Sequence, residues 1–323
     1  MSRRWQVLAL LFAVVALLIV PLTLSGFWIR LVTHMLMFAI LASALNIIAG
    51  LTGYAAFGNM LFFGLGAYTT AVLMNKAKLS FYIAFPFAGL VAVAAAVLFG
   101  LLFLRLRSQY FALATMGASE GTRRIIDNLT SLTGGAQGTT IPSLEGSPEF
   151  LNVFFYFAMF FLLILITIVV WRLSVSRLGY ALKAIRADEE AASVMGINTT
   201  FFKVVSWSLS ALFTGLTGSV YAFWFSYIEP PTVFNVFWVV KMFVIMLIGG
   251  IGTVFGPIIG AFLLEFVSEV VWSQFLNLHL GVLGLIIVAV VIFMPNGLLG
   301  LSTSGTGLRG VVKLLRPTME NRV

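Results

Sequence analysis

The chain alternates long apolar runs with short polar breaks. Apolar segments fall at 6–26, 28–50, 53–74, 81–104, 108–129, 150–171, 202–226, 235–250, 253–275 and 279–295. A helix that crosses a bilayer needs about 20 mostly apolar residues, so each segment is a candidate span. The pattern predicts an all-α polytopic membrane protein with about ten transmembrane helices. Two segments fit less well. Segment 108–129 carries charges, and 235–250 is short and is cut by Gly249, Gly250 and Gly252.

Lysine and arginine collect in cytoplasmic loops and so orient the helices. With Arg3 and Arg4 in the cytoplasm and the spans alternating, Arg105, Arg107, Arg172, Arg177, Lys183 and Arg186 also fall inside. Ten spans keep the tail with Arg309, Lys313 and Arg316 inside, whereas nine would export it. Lys76 and Lys78 fall outside and count against this scheme. Both termini are therefore expected in the cytoplasm, with a single transmembrane domain over 1–323. It carries a cytoplasmic segment at 172–201, an external loop at 130–149 and a basic cytoplasmic tail at 296–323.

Composition narrows the possible functions. Hydrophobic residues make up 61% of the chain, charged residues only 9%, and the mean hydropathy is +1.08. That leaves no stretch for a separate soluble domain and excludes an appended nucleotide-binding domain. The net charge of +8 is accounted for by the basic loops, and no nucleic-acid partner is expected. The absence of cysteine rules out disulfides, thiol catalysis and thiolate metal sites. His34 and His279 have no neighbours at metal-ligand spacing, so no metal or cofactor is expected on this chain. Gly134, Gly135 and Gly138 lack the Gly-Lys-Ser/Thr of a phosphate loop and have no strand before them. The N-terminus mimics a signal peptide, and Ser2-Arg3-Arg4 hints at a twin-arginine signal. No small-residue cleavage site follows, and a second span begins at Trp28, so an uncleaved first helix is expected.

The most informative segment is a charged island from Arg172 to Lys203. Leu178, Ala181, Leu182 and Ile185 recur at helical spacing, with Arg177, Lys183 and Arg186 off that stripe. Asp188 is a natural N-cap for a second helix, and Glu189 and Glu190 suit its first turn. Ala191, Ala192, Val194 and Met195 line that helix. Gly196 suits its left-handed C-terminal position, with Ile197 closing the hydrophobic cap. The segment thus predicts two short helices with a bend near Ala187. Ala181, Ala184, Ala191, Ala192 and Gly196 would let another surface approach closely, with the charges fixing its register. An amphipathic hairpin lying on lipid headgroups would have the same pattern.

From Leu178 this segment reads LGYALKAIRADEEAASVMGIN. Five further blocks stand in order around it: GLTGYAAFGNMLFFGLGAY from Gly50, LRLRSQYFALATMGASEGTRRI from Leu104, SLTGGAQGTTIP from Ser131, GGIGTVFGPIIGA from Gly249 and MPNGLLGL from Met294. Over about 37–301 the chain resembles the permease subunits of branched-chain amino acid ABC importers, and most of all the longer, M-type partner of the pair. The resemblance implies the ten-helix importer class in a bacterial inner membrane. It also implies a second related permease, two ABC ATPase subunits that carry the ATP and grip residues 178–198, and a periplasmic binding protein that delivers substrate. ATPase coupling would then rest on Leu178, Gly179, Ala181, Leu182, Ala184, Ile185, Arg186, Asp188, Glu189, Ala191, Ala192, Met195 and Gly196. The family's Gly-Gln-Leu-Ser-Leu-Gly-His-Ala block is here Gly53 to Met60, with Ala56 for the serine and Asn59 for the histidine. If those positions touch substrate, specificity differs accordingly. Related permeases carry urea or short amides, which remains an alternative substrate class.

Polar residues inside spans are costly and often functional. Glu120 and Arg124 form an i,i+4 pair, as do Arg123 and Asp127. They make either a charged patch at the outer mouth or a neutralised helix end. Glu265 and Glu269 are expected to face the partner permease or the outer surface, and Lys241 to snorkel to an end. Asn46 and Asn59 flank the break at Gly50 and Gly53. With Gly53, Gly64, Glu120 and Gly250 they are the candidate pathway residues, and helix packing is the competing role. Gly50-Leu-Thr-Gly53 with Phe57-Gly58 echoes Gly250-Ile-Gly252 with Phe255-Gly256, either as a trace of an internal repeat or by chance. A secondary transporter driven by an ion gradient would need midplane carboxylates, for which Glu120 and Glu265 stand. A lipid-modifying enzyme would need a His, Asp or Cys cluster, and the sequence has none.

Overall fold

A computed structural model describes residues 15–274 apart from 22, 24, 25 and 107, together with 281 and 284. The predicted segment 279–295 (those two residues aside), the basic tail 296–323 and the start of segment 6–26 lie outside the described residues. Helix α1 (Gly26–Leu45) ends in a widened π-turn at Asn46–Gly50. It is followed by α2 (Met60–Asn75), α3 (Phe81–Phe103), α4 (Ser108–Asn128), α5 (Thr130–Thr133) and α6 (Pro148–Ser174). A short pair, α7 (Arg177–Ala187) and α8 (Glu189–Val194), leads into α9 (Thr199–Phe225). The described chain closes with α10 (Pro230–Val233), α11 (Val236–Gly249) and α12 (Gly256–Gln274). Among the described residues four stretches, Gly26–Gly50, Phe81–Phe103, Pro148–Ser174 and Pro230–Gly249, are long and apolar enough to cross a membrane.

Local chemistry explains the helix starts. Ser147 caps α6 by accepting from the Phe150 amide, Pro148 fills the first turn, and Glu149 and Arg172 match the two ends of the helix dipole. Asn198 caps α9 in the same way through the Phe201 amide. Ser226, at φ 55°, ends α9 in a left-handed turn.

The bundle is built around α9, which packs chiefly on α2 and α3. Apolar lipid tails give helices no hydrophobic reason to associate, so close backbone approach must do so. In α3 the small residues Ala84, Ala88, Ala92, Ala96 and Gly100 fall every fourth position and face inward. Its large side chains, including Tyr82, Leu90, Leu98 and Leu102, point outward. The contact of α2 with α9 is tighter still. A Cβ on Gly66 would lie 2.1 Å from the Gly215 carbonyl oxygen, and one on Gly218 would lie 2.2 Å from that of Phe63.

Three expectations need correction. The third apolar segment was expected to be helical from 53, but residues 53–56 are irregular, 57–59 form a turn, and helix begins only at Met60. Gly53 takes a φ of 77°, which ends the helical path. Gly58 then lies against the α4 backbone, where a Cβ would be 2.0 Å from the Thr115 carbonyl oxygen. Irregular backbone inside a membrane protein must be satisfied by protein, and here the Gly58 amide donates to Thr115 Oγ1 at 3.2 Å. The segment 130–149, expected to be a loop, is irregular over 141–147 but helical at Thr130–Thr133. Thr139–Thr140 pairs antiparallel with Tyr227–Ile228, strapping it over the end of α9. Lys241 turns to an ion pair instead of reaching out to an end, and Glu265 is held on the wall of a groove instead of on an outward face. Glu265 is buried, with Lys241 Nζ at 2.8 Å and His34 Nδ1 at 3.4 Å. Opposite charges at this depth lower their burial cost by pairing.

Candidate functional site

The site is the α7–α8 hairpin and its anchors. Ser176 caps α7 by accepting from the Gly179 amide at 3.1 Å. Gly179 is required by the reversal out of α6, because a Cβ there would sit 1.9 Å from the Leu173 carbonyl oxygen. At Asp188 the backbone becomes extended, and its Oδ1 accepts from the Ala191 amide at 3.0 Å, capping α8. The end of α8 is a Schellman motif. The Ile197 amide donates to Ala192 O at 3.1 Å and the Gly196 amide to Ser193 O at 3.0 Å, with Gly196 at φ 87°.

The two faces of the hairpin have different roles. Gly179, Ala181, Leu182, Ile185 and Ala192 are buried against the chain's own helices, while Leu178 and Ala184 are half-buried. The small residues Ala181 and Ala192 therefore admit this chain's spans, not an outside surface as the sequence suggested. Facing out are Ala187, Asp188, Ala191 and Gly196, with Tyr180 64%, Val194 87% and Met195 83% exposed. Such large apolar side chains on a polar hairpin are the kind that protein partners cover. Beside them opens a groove of about 580 Å³ lined in part by Arg105, Ser108, Asp188, Glu190 and Ser193.

Lys203, four residues into α9, is the first anchor. Its ammonium is buried at 2% exposure and spends all three protons: on Glu189 Oε1 at 2.6 Å, on Leu104 O at 2.7 Å and on the Tyr54 hydroxyl at 3.1 Å. The Tyr54 hydroxyl in turn donates to Glu189 Oε2. One cluster thus joins the hairpin, the base of α9, the α3–α4 link and the irregular segment after α1. Burial pushes the Glu189 carboxyl up, but the bonds from Lys203 and Tyr54 and the lysine's charge outweigh it and hold the group below its ordinary value. Burial, and then Glu189, push the Tyr54 hydroxyl well above the usual tyrosine range, so it remains a donor. A depressed carboxyl stabilises the fold above its unfolded value, and that contribution is lost as pH falls through the folded value. Protection of the hairpin from protease should therefore hold from neutral pH down to the ordinary carboxylate value of 4.5 and decline only below it. Limited proteolysis across a pH series with an acid-tolerant protease checks this.

Arg186 is the second anchor. Its guanidinium donates to Gly50 O at the end of the π-turn and packs on Gly53. It also lies against Gly252, where a Cβ would be 2.8 Å from Nη1. Asn46 locks the two glycine breaks together, donating to Thr253 O and accepting from the Gly252 amide, both at 2.8 Å. The echoing glycine blocks thus meet in space at the hairpin.

The other candidate residues are dispersed. Gly250, at φ 121°, belongs to the second break. Asn59 is fully buried, bonded to Thr214 Oγ1 at 3.0 Å and Ser210 Oγ at 3.3 Å, and Ala56 is buried beside it. Gly64 lies under the Phe234 ring. Glu120 is on the open face of α4, held by Arg123 at 2.6 Å and Arg124 at 2.9 Å. Asp127 lies 4.0 Å from Arg124, so the expected Arg123–Asp127 pair gives way to a forked Glu120 contact. Tyr54 and Lys203 were not singled out from sequence. The signal for Lys203 was there, a lone cation just inside an apolar run, but its partners are 14 to 149 residues away.

The sequence comparisons identify the kind of helical membrane protein that carries this hairpin. Residues 27–291 match the family described as "branched-chain amino acid transport system / permease component", and the chain belongs to it. It is 32% identical to the high-affinity branched-chain amino acid transport system permease protein LivM of Salmonella typhimurium, over 86% of this chain and 71% of that one. Identity to LivM of Escherichia coli K12 is 31% with the same coverage. Identity to LivH of Salmonella typhimurium is 25%, over 81% of this chain and 91% of that protein. No solved structure matches the chain. The protein is a membrane permease of the M type and not an enzyme.

Proposed function

We propose that this chain forms half of the translocation pathway of an ATP-driven importer for branched-chain amino acids in a bacterial inner membrane. A related permease supplies the other half, two ABC ATPases dock on the hairpin, and a periplasmic protein delivers substrate. ATP stays on the ATPases, and this chain binds no cofactor. The complete bundle has ten spans in lipid, with both termini and the hairpin in the cytoplasm. The pairing of LivM-like and LivH-like relatives supports the two-permease arrangement.

The observation that carries this reading is the hairpin's double character: an exposed apolar rim at Tyr180, Val194 and Met195, and rigid anchors to the spans behind it. An ATPase that displaces α8 pulls on Lys203 through Glu189, and so on the base of α9 and the α3–α4 link. A displacement of α7 moves Arg186 against both glycine breaks at once. These breaks, with Asn46, Gly53 and Gly250, are the hinges of the inner end of the pathway. Asn59, Gly64 and Glu120 lie further along it.

Gly196→Pro tests the coupling. Proline cannot adopt a φ of 87° and removes the amide that bonds Ser193 O, so the Schellman turn is lost. ATP-driven uptake should disappear while the protein remains in the membrane in normal amount. Normal uptake by this variant would remove the hairpin from the mechanism.

A further inference from the structure

At the end of the bundle away from the hairpin, an open groove of about 540 Å³ runs between α1, α9, α11 and α12. Its volume lies within the range of about 300–1,000 Å³ usual for small-molecule sites. Its wall carries both signs of charge on membrane helices. Glu265, buried at 4% exposure, is paired with Lys241 and His34. Glu269 follows one turn later on α12, and Arg30 faces the groove from α1. Trp224 supplies an apolar side at the end of α9.

The charges are not equally compensated. The Glu265–Lys241 pair is internal. Arg30 makes a long bond of 3.4 Å to Gly26 O on its own helix, and no described carboxylate lies within ion-pair distance of it. Among the described residues no cation lies within that distance of Glu269. Among the described residues the groove thus offers one cation and one anion outside any ion pair, and with its aromatic wall it fits a small molecule that carries both charges and an apolar substituent. A neutral amide would leave both charges unmatched, and such a mismatch disfavours binding.

We propose that this groove is the outer subsite for the zwitterionic head of an α-amino acid. Arg30 takes the carboxylate, Glu269 takes the ammonium, and the side chain lies towards Trp224. The Lys241–Glu265–His34 cluster holds α1, α11 and α12 at the spacing the subsite needs. This inference rests on the importer reading above and assigns its outer site.

The test uses the importer assembled from its native membrane with its partner subunits, in proteoliposomes. Arg30→Gln and Glu269→Gln remove the two head-group contacts while leaving the buried cluster intact. Loss of a charge-assisted bond should lower leucine uptake about tenfold in each, with unchanged assembly. Independently, Ser268→Cys gives the groove a single thiol, since the chain has no cysteine of its own. Leucine-loaded binding protein should slow its modification by a membrane-impermeant methanethiosulfonate several-fold, and urea should not. Uptake within twofold of wild type in both glutamine variants, or labelling indifferent to leucine, overturns the subsite and leaves the importer reading standing. A wild-type complex that shows no ATP-driven leucine uptake overturns both.

Discussion

Glu189→Ala is expected to disconnect the hairpin from the spans. The substitution leaves the Lys203 ammonium buried without its counter-charge. Breaking a buried pair from one side costs about 3 kcal/mol at the low end of the usual range. The low end applies because Glu189 itself is about a third exposed and because Leu104 O and the Tyr54 hydroxyl still hold the lysine. ATP-driven uptake should fall at least tenfold, and protease should cut the hairpin faster. The double variant Glu189→Leu with Lys203→Met removes both charges and should recover most of the lost stability, since an apolar pair can replace a buried ion pair. If the single variant transported normally, or the double variant were no more stable than the single, the anchor would not hold the hairpin.

Gly66→Leu is expected to prevent the bundle from assembling. The Cβ would be 2.1 Å from the Gly215 carbonyl oxygen, and beyond it lies only backbone, which cannot move as a flexible side chain can. The α2–α9 crossing would have to open, at a cost of about 3 kcal/mol or more. The purified variant in detergent should show a sharply lowered melting midpoint and poor yield. Gly117→Ala is the control. Nothing lies within 4 Å of a Cβ there, so stability should be unchanged or raised by up to about 1 kcal/mol through helix propensity. Equal midpoints for the two variants would refute the close-packing account of the bundle.

What sequence could reveal depended on how local the cause was. The hairpin was legible in outline because caps and breaks are local. Asp188 as N-cap, the bend beside it and Gly196 at a left-handed turn all follow from residues within a few positions of each other. Which face of the hairpin points outward was not legible. Ala181 and Ala192 are as compatible with a partner as with the chain's own spans, and only the packing decides between them. The Lys203–Glu189–Tyr54–Leu104 cluster was hidden for the same reason, because its members meet only once the bundle forms. The irregular stretch at 53–59 was read as helix because its apolar content suits one. The close approach of Gly58 to α4 depends on a residue 57 positions away. The echo of the two glycine blocks was visible, but their joining through Asn46 was not.

The most direct measurement isolates the tagged chain from its native membrane, identifies what accompanies it and assays leucine uptake in liposomes. The account predicts a second related permease and two ABC ATPases in fixed proportion, with uptake that needs both the binding protein and ATP hydrolysis. A lone chain or homo-oligomer that carries leucine without ATP, and stops when an ion gradient is collapsed, would contradict it.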